Sequence, residues 1–303
     1  MKTYFNINYE FDKVEVHRAI DAVQKGYICV ADGVVMNTAN RDPEYLKVVN
    51  GSLFSICDSS WVPVYLKKIY GISYEQYCGS EIFKDIVSSR KHRMIFMGTS
   101  QKTLDGLRSE LMNMNPDVEG MQFVELPFLN VEEFDYPAIA KVIDNDGAKV
   151  VWVALGAPKQ ERFMNLLLPH LKQGVMIGVG AAFKFYSGNE VKRCPVWMQK
   201  HHLEFVYRII QDPKKQLKRC FWIVWTLPGY ILGRKSGRKP RRKTDRSSTP
   251  PPSSILPRPC PPALRRITLK EGLARTLVEP SYYGGPTPLM KQIEHDNRQA
   301  IIR

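Results

Sequence analysis

Residues equipped for chemistry fall at four places in the sequence: Asp58, Gly98-Thr99-Ser100, the run Gly156 to Glu161 (GAPKQE) and Gly178 to Gly180 (GVG). A carboxylate such as Asp58 acts as a general base when it reaches the proton of an attacking hydroxyl. Small turns that precede helices, as at Gly98-Thr99-Ser100 and Gly156, direct backbone N–H groups at a phosphate. The six cysteines stand singly at 29, 57, 78, 194, 220 and 260, with no CxxC pair and no Cys/His spacing of a zinc site. The economical reading is therefore a phosphorylated ligand, with neither a metal nor an organic cofactor.

Four groups so far apart in sequence meet only if the fold brings them to one edge. The chain alternates short apolar runs with amphipathic stretches, the rhythm of a mainly parallel sheet flanked by helices. Strands are expected at Tyr27–Val30, Ser52–Cys57, Met94–Met97, Gln122–Glu125, Val150–Leu155 and Val175–Val179. Helices are expected at Val14–Gln24, Pro43–Asn50, Val62–Tyr70, from Gly79 to about Arg90 with Ser80 as N-cap, at Lys102–Asn113, Tyr136–Asp146, Phe163–Leu171 and Pro195–Asp212. In a parallel sheet all carboxyl ends point one way. Asp58, Gly98, Thr99, Gly156 and Gly180 would then share a rim, which is where open α/β sheets bind ligands.

Charge divides the 303 residues unevenly. The formal net charge is +14, but from Gly233 onward there are 16 Lys and Arg against 5 Asp and Glu, leaving +3 for residues 1–232. The basic character belongs to the tail, so no specific nucleic-acid partner is implied for the body. Eleven of the 21 prolines also lie beyond Gly233. The sequence therefore divides into an α/β core at 1–212, an amphipathic appendage at 213–232 and a basic, proline-rich, disordered tail at 233–303. The opening residues, MKTYFNINYEFDK, lack the apolar stretch of a signal peptide, and no run reaches the ~20 apolar residues of a spanning helix. A reducing, cytoplasmic setting fits the scattered cysteines. The sequence carries no information on oligomeric state.

A nucleotide-dependent oxidoreductase on the same fold class is one rival, suggested by Gly178 to Phe183 (GVGAAF). It fails the dinucleotide fingerprint at Phe183, where Gly or Ala is required, and no acidic residue ends a strand ~20 positions on. The other rival is a non-catalytic membrane or nucleic-acid binding module built on the basic tail.

Several segments taken in order decide between these. GAPKQE (156–161), GVGAAF (178–183), RCPVWM (193–198) and LEFVYR (203–208) followed by Pro213 resemble the ordered motifs of the WecG/TagA/CpsF family of bacterial glycosyltransferases. Gly79-Ser80-Glu81-Ile82-Phe83 is similar to its G-[ST]-D-L-F element, and Gly98 to its glycine after a central strand. The resemblance spans about Tyr27 to Ile231. It implies a Rossmann-like fold and metal-independent, inverting transfer of an N-acetylmannosamine-type sugar from a UDP-sugar donor. The implied acceptor is a sugar on undecaprenyl diphosphate, at the cytoplasmic face of the membrane.

The resemblance also implies roles for residues. Asp58 matches the proposed base; its alternative is a helix N-cap. Gln160 and Glu161 would contact the donor, against the alternative of a solvated first helical turn. Arg208 and Arg219 would neutralise the diphosphate leaving group, against ordinary surface ion pairs. Asp32 and Asn37 fall near a family element containing Thr and Asn, in ambiguous register. Ser59 stands where the family has Gly, Lys184 where it has Asp, and Glu81 where it has Asp. Residues 214–232 match an appendage that binds the membrane and closes over the site, and Trp222, Trp225 and Tyr230 with flanking Lys and Arg suit an anionic headgroup region.

Overall fold

A computed structural model describes residues 1–59, 61–188, 195, 198, 204–211 and 213. The expected mainly parallel sheet flanked by helices is present. Eight strands form one sheet: β1 (Lys2–Tyr4), β2 (Ile7–Tyr9), β3 (Lys25–Ala31), β4 (Phe54–Cys57), β5 (Met94–Gly98), β6 (Gln122–Val124), β7 (Val150–Ala154) and β8 (Gly174–Gly178). Their order is β1-β2-β4-β3-β8-β7-β5-β6. All pairings are parallel except β1 with β2.

Helices α1 (Lys13–Ala22), α2 (Gly33–Arg41), α3 (Pro43–Asn50), α4 (Trp61–Tyr70), α5 (Gly79–Ser89), α6 (Gln101–Met112), α7 (Tyr136–Asp146), α8 (Lys159–Leu167) and α9 (Ala182–Tyr186) cover the sheet, and α10 (Glu204–Gln211) follows. Buried side chains of α2, α3, α4, α7 and α8 join one core beneath the sheet. Those of α1, α5, α6 and α9 join a second core above it. β7 explains why the sheet is apolar on both faces: Val151 and Val153 enter the first core, while Val150 and Trp152 enter the second.

Some elements have ends the sequence marks clearly. Pro43 follows the capping Asp42, whose Oδ1 accepts from Glu44 N and Tyr45 N, and α7 stops at Gly147, φ +74°. Others differ from expectation. Helix α2 and the β1/β2 hairpin are additions, the hairpin turning through Phe5 and Asn6 at φ +50° and +64°. Helix α8 begins at Lys159, where the helical pattern of Lys159-Gln160-Glu161 starts, and ends at Leu167, before the 3-10 turn Leu168–His170. Ser80 is not the N-cap of α5: the helix starts at Gly79 with Cys78 capping. The helical backbone bonding already begins at Cys78, whose carbonyl accepts from Ile82 N at 3.1 Å.

Candidate functional site

The strand registers set the tips level. Ala31 pairs with Cys57, Cys29 with Gly178, Gly178 with Val153, and Ala154 with Gly98. From this edge β3 leads into α2 in the lower core, whereas its neighbour β8 leads into α9 in the upper one. β7 and β5 diverge in the same way, into α8 and α6. Adjacent strands whose chains leave to opposite faces open a crevice between them, the ligand position of open α/β sheets.

Asp58 stands at the β4 tip, half-buried. Its Oδ1 accepts from Gly79 N at 2.7 Å, and its own N–H donates to Ala31 O at 3.1 Å. A methyl group at Gly79 would lie 3.0 Å from Val30 and 3.8 Å from the Val179 carbonyl, so the carboxylate sits by the exits of β3 and β8. Asp58 thus accepts from the first residue of α5, a helix whose N-cap position is Cys78. A charge-assisted hydrogen bond from a main-chain amide holds one carboxylate oxygen in place while the group remains partly exposed to solvent.

Gln160 and Glu161 are placed quite differently. They are 3% and 0% exposed, so the solvated-turn alternative is overturned. The Gln160 carbonyl accepts from Gly156 N and Gly180 N, both at 3.1 Å, and its amide donates to Glu161 Oε1 at 2.9 Å and Gly178 O at 3.2 Å. All four hydrogen-bonding positions of the side chain are used within the protein. They tie the turn after β7 to the turn after β8. Glu161 Oε2 in turn accepts from Tyr45 OH at 3.0 Å. Burial pushes the Glu161 carboxyl up from the ordinary 4.5 to about 7, against the opposing pull of the Gln160 and Tyr45 hydrogen bonds.

The turn after β5 is held by shape. Gly98 has φ +110°, and a Cβ there would stand 2.8 Å from the Ala154 carbonyl oxygen of β7, so only glycine fits. Thr99 follows at φ +56°, partly exposed. Asp32 caps α2, its Oδ1 accepting from Val34 N at 2.8 Å and Val35 N at 2.9 Å. Asn37 is 8% exposed within that helix. Ser80 is also 8% exposed, its hydroxyl 3.2 Å from Cys78 Sγ. Lys184 is exposed on α9. Arg208 lies on α10, with its side chain outside the described residues; Arg219 and residues 214–232 lie outside them altogether. The structure thus gathers Asp58, Asp32, Gly98, Thr99, Gly156, Gln160, Glu161 and Gly180 at one edge of the sheet.

One part of this edge escaped the sequence reading. A pocket of about 430 Å³ opens between residues 128–133 and Pro158, Lys159 and Arg162 at the start of α8. Phe128 stands fully exposed at its rim. The Lys159 ammonium lies 5.2 Å from the ring centres of both Phe128 and Phe134 and donates to the Leu129 carbonyl. The available signal was Lys159 within GAPKQE, whose partners come from a segment that reads as an apolar connector. Among the described residues, no group of three or more His, Cys, Asp or Glu could hold a metal ion.

A family model, glycosyl transferase WecG/TagA/CpsF, matches residues 5–241. An N-acetylglucosaminyldiphosphoundecaprenol N-acetyl-beta-D-mannosaminyltransferase of Bacillus subtilis (strain 168) is 29% identical over 205 residues, 64% of this chain and 78% of that protein. A transferase of the same name from Bacillus spizizenii is 26% identical over 199 residues, 65% of this chain and 75% of that protein. The oxidoreductase and the non-catalytic module are set aside by a match of this extent, and the chain belongs to the WecG/TagA/CpsF family of glycosyltransferases.

Proposed function

We propose that this glycosyltransferase moves an N-acetylhexosamine-type sugar, N-acetylmannosamine-like by its relatives' names, from a UDP-sugar to a sugar carried on undecaprenyl diphosphate, with inversion and with Asp58 as general base. The observation that carries this reading is the half-buried Asp58 carboxylate, fixed through one oxygen by Gly79 N at 2.7 Å beside the crevice between β3 and β8. In the reaction an acceptor hydroxyl within hydrogen-bond reach gives its proton to Asp58 as its oxygen bonds to the anomeric carbon. The bond from that carbon to the diphosphate breaks, and UDP leaves with the electron pair.

The leaving diphosphate must be neutralised. Backbone N–H groups of the Gly98-Thr99-Ser100 turn at the start of α6 suit one phosphate, and Arg208 and Arg219 keep the role that the family resemblance gives them. The pocket beside α8 fits the nucleoside end: Phe128 offers an exposed ring for a base, and the Lys159 ammonium beside it offsets the carboxylates of Glu132 and Glu133 on the same lining. With Gln160 saturated, that side chain serves the donor through the two turns it joins.

Among the described residues no helix is long and apolar enough to cross a membrane. Access to a lipid-linked acceptor is assigned to residues 213–232 acting at the cytoplasmic membrane surface. Liposome flotation of Trp222→Ala/Trp225→Ala tests this, and equal flotation of variant and wild type would remove the assignment. The reaction itself is tested by screening UDP-sugars for UDP release with a lipid-diphosphate-sugar acceptor. No release with any N-acetylhexosamine donor would sink the proposal.

A further inference from the structure

Residues 71–78, between α4 and α5, contain neither helix nor strand, yet every step of their path near Asp58 is anchored. Tyr74 stacks on Phe11, ring centres 4.1 Å apart, and its hydroxyl takes a bond from Lys2 Nζ at 2.8 Å. Gln76 Nε2 donates to the Asp58 main-chain carbonyl at 3.2 Å. Cys78 N donates to Glu81 Oε2 at 3.3 Å, and Gly79 N donates to the Asp58 carboxylate. This segment is a strap that, together with the first residue of α5, places two donors on the same aspartate.

Tyr77 lies between those two donors. It is 2% exposed, and its hydroxyl donates to Asp85 Oδ2 on α5 at 3.0 Å. The Tyr77 phenol oxygen is 3.0 Å from His17 Nε2 on α1, and the Lys13 ammonium sits 4.8 Å from the Tyr77 ring centre. An ionised carboxylate only accepts, so the hydroxyl proton belongs to Asp85 and the phenol oxygen accepts from His17 Nε2–H. Tyr77 is therefore pinned between two helices while the backbone two residues further on holds Asp58.

We propose that Tyr77 is a positioning residue for the transfer reaction: its hydroxyl, braced by Asp85 and His17, fixes the strap so that Gly79 N–H and Gln76 aim the Asp58 carboxylate at the acceptor hydroxyl. This rests on Asp58 being the base. A shift of ~1 Å in a reacting group costs on the order of 100-fold in rate, so a brace distant from the substrate can still govern turnover. Neither the family motifs around Gly79 nor the crevice residues assign anything to Tyr77.

The test uses the full chain with a UDP-sugar donor and a lipid-diphosphate-sugar acceptor. Tyr77→Phe keeps the buried ring and deletes the hydroxyl. Its kcat should fall roughly tenfold with donor KM unchanged. The ascending limb of the kcat–pH profile should move to higher pH, because a carboxylate held less firmly by its amide donor is more easily protonated. His17→Ala should show a smaller change of the same kind, and His17→Gln, which restores a donor to the phenol oxygen, should recover it. Since His17 is half-buried on the outer turn of α1, this pair keeps the proposal testable if Tyr77→Phe folds poorly.

Wild-type kcat and an unmoved limb in folded Tyr77→Phe would overturn the proposal, as would equal loss in His17→Ala and His17→Gln. Asp58→Asn separates the two levels. If it abolishes transfer while Tyr77→Phe is unchanged, the Tyr77 proposal alone fails; wild-type turnover in Asp58→Asn removes the base on which it rests.

Discussion

Two regions of the same sheet edge, separated by the β3 tip, are built on opposite plans. At the β4 tip Asp58 is half-buried, its carboxylate held by the main-chain N–H of Gly79 and its main-chain carbonyl by the side-chain amide of Gln76, leaving a charged group beside solvent. At the β7 and β8 tips Gln160 and Glu161 are sealed from solvent and spend their polar atoms on the protein. A motif that stands out in sequence therefore need not touch substrate. GAPKQE is distinctive because a buried amide with four partners admits no substitute, whereas the group suited to proton transfer is a single aspartate in unremarkable surroundings.

The comparison breaks first at Asp58. Asp58→Asn should lower transfer roughly 100- to 10,000-fold, the usual share of a general base, while donor binding measured by calorimetry stays near wild type. Turnover like wild type would put the chemistry elsewhere on the rim. Next in size, Gln160→Ala leaves Gly156 N, Gly180 N and Gly178 O without their partner, at a cost of about 4 kcal/mol in denaturant unfolding. A loss in activity without any loss of stability would show that Gln160 serves substrate directly after all.

Glu161 sharpens the contrast through pH. Its carboxyl is raised from 4.5 to about 7 on folding. Between those values the unfolded chain binds fewer protons, so the folded state loses stability as pH rises and levels off above about 7, by no more than about 3 kcal/mol in all. Glu161→Gln should remove that slope from urea unfolding followed between pH 4 and 8; an unchanged slope would mean the burial is relieved by other groups. The smallest structural effect is expected at Phe128. Since the ring is fully exposed, Phe128→Ala should change stability by less than about 0.5 kcal/mol. It should nevertheless weaken UDP binding by about 1 kcal/mol or more if a base stacks there, and unaltered UDP affinity would move the nucleoside out of this pocket.

How much of this was legible in the sequence depended on whether the cause was local. The parallel sheet and its tips follow from apolar runs such as Val150–Ala154, and α3 and α7 follow from Asp42-Pro43 and from Gly147. Helix α2 was hidden because Gly33, Val34 and Val35 are weak helix formers, and only the Asp32 cap and tertiary packing against the lower core commit them. The hairpin was hidden by a Phe-Asn turn in which Phe5 takes a left-handed conformation. At the site, the rim and Asp58 were readable from strand ends, while the burial of Gln160 and Glu161 was not. That burial is created by the adjacency of β7 and β8 and by Tyr45 arriving from α3, neither of which leaves a mark at residues 160 and 161.

The four-way hydrogen bonding of Gln160 also bears on how this enzyme can be re-engineered. A side chain that rivets two turns together acts as a fixed datum for the site, and altering it changes every distance measured from it. Sugar preference is therefore best retuned by leaving residues 156–161 intact and varying Lys184, exposed on α9, while Phe128 at the pocket rim tunes the hold on the nucleoside. There a substitution changes what a substrate meets and leaves the frame in place.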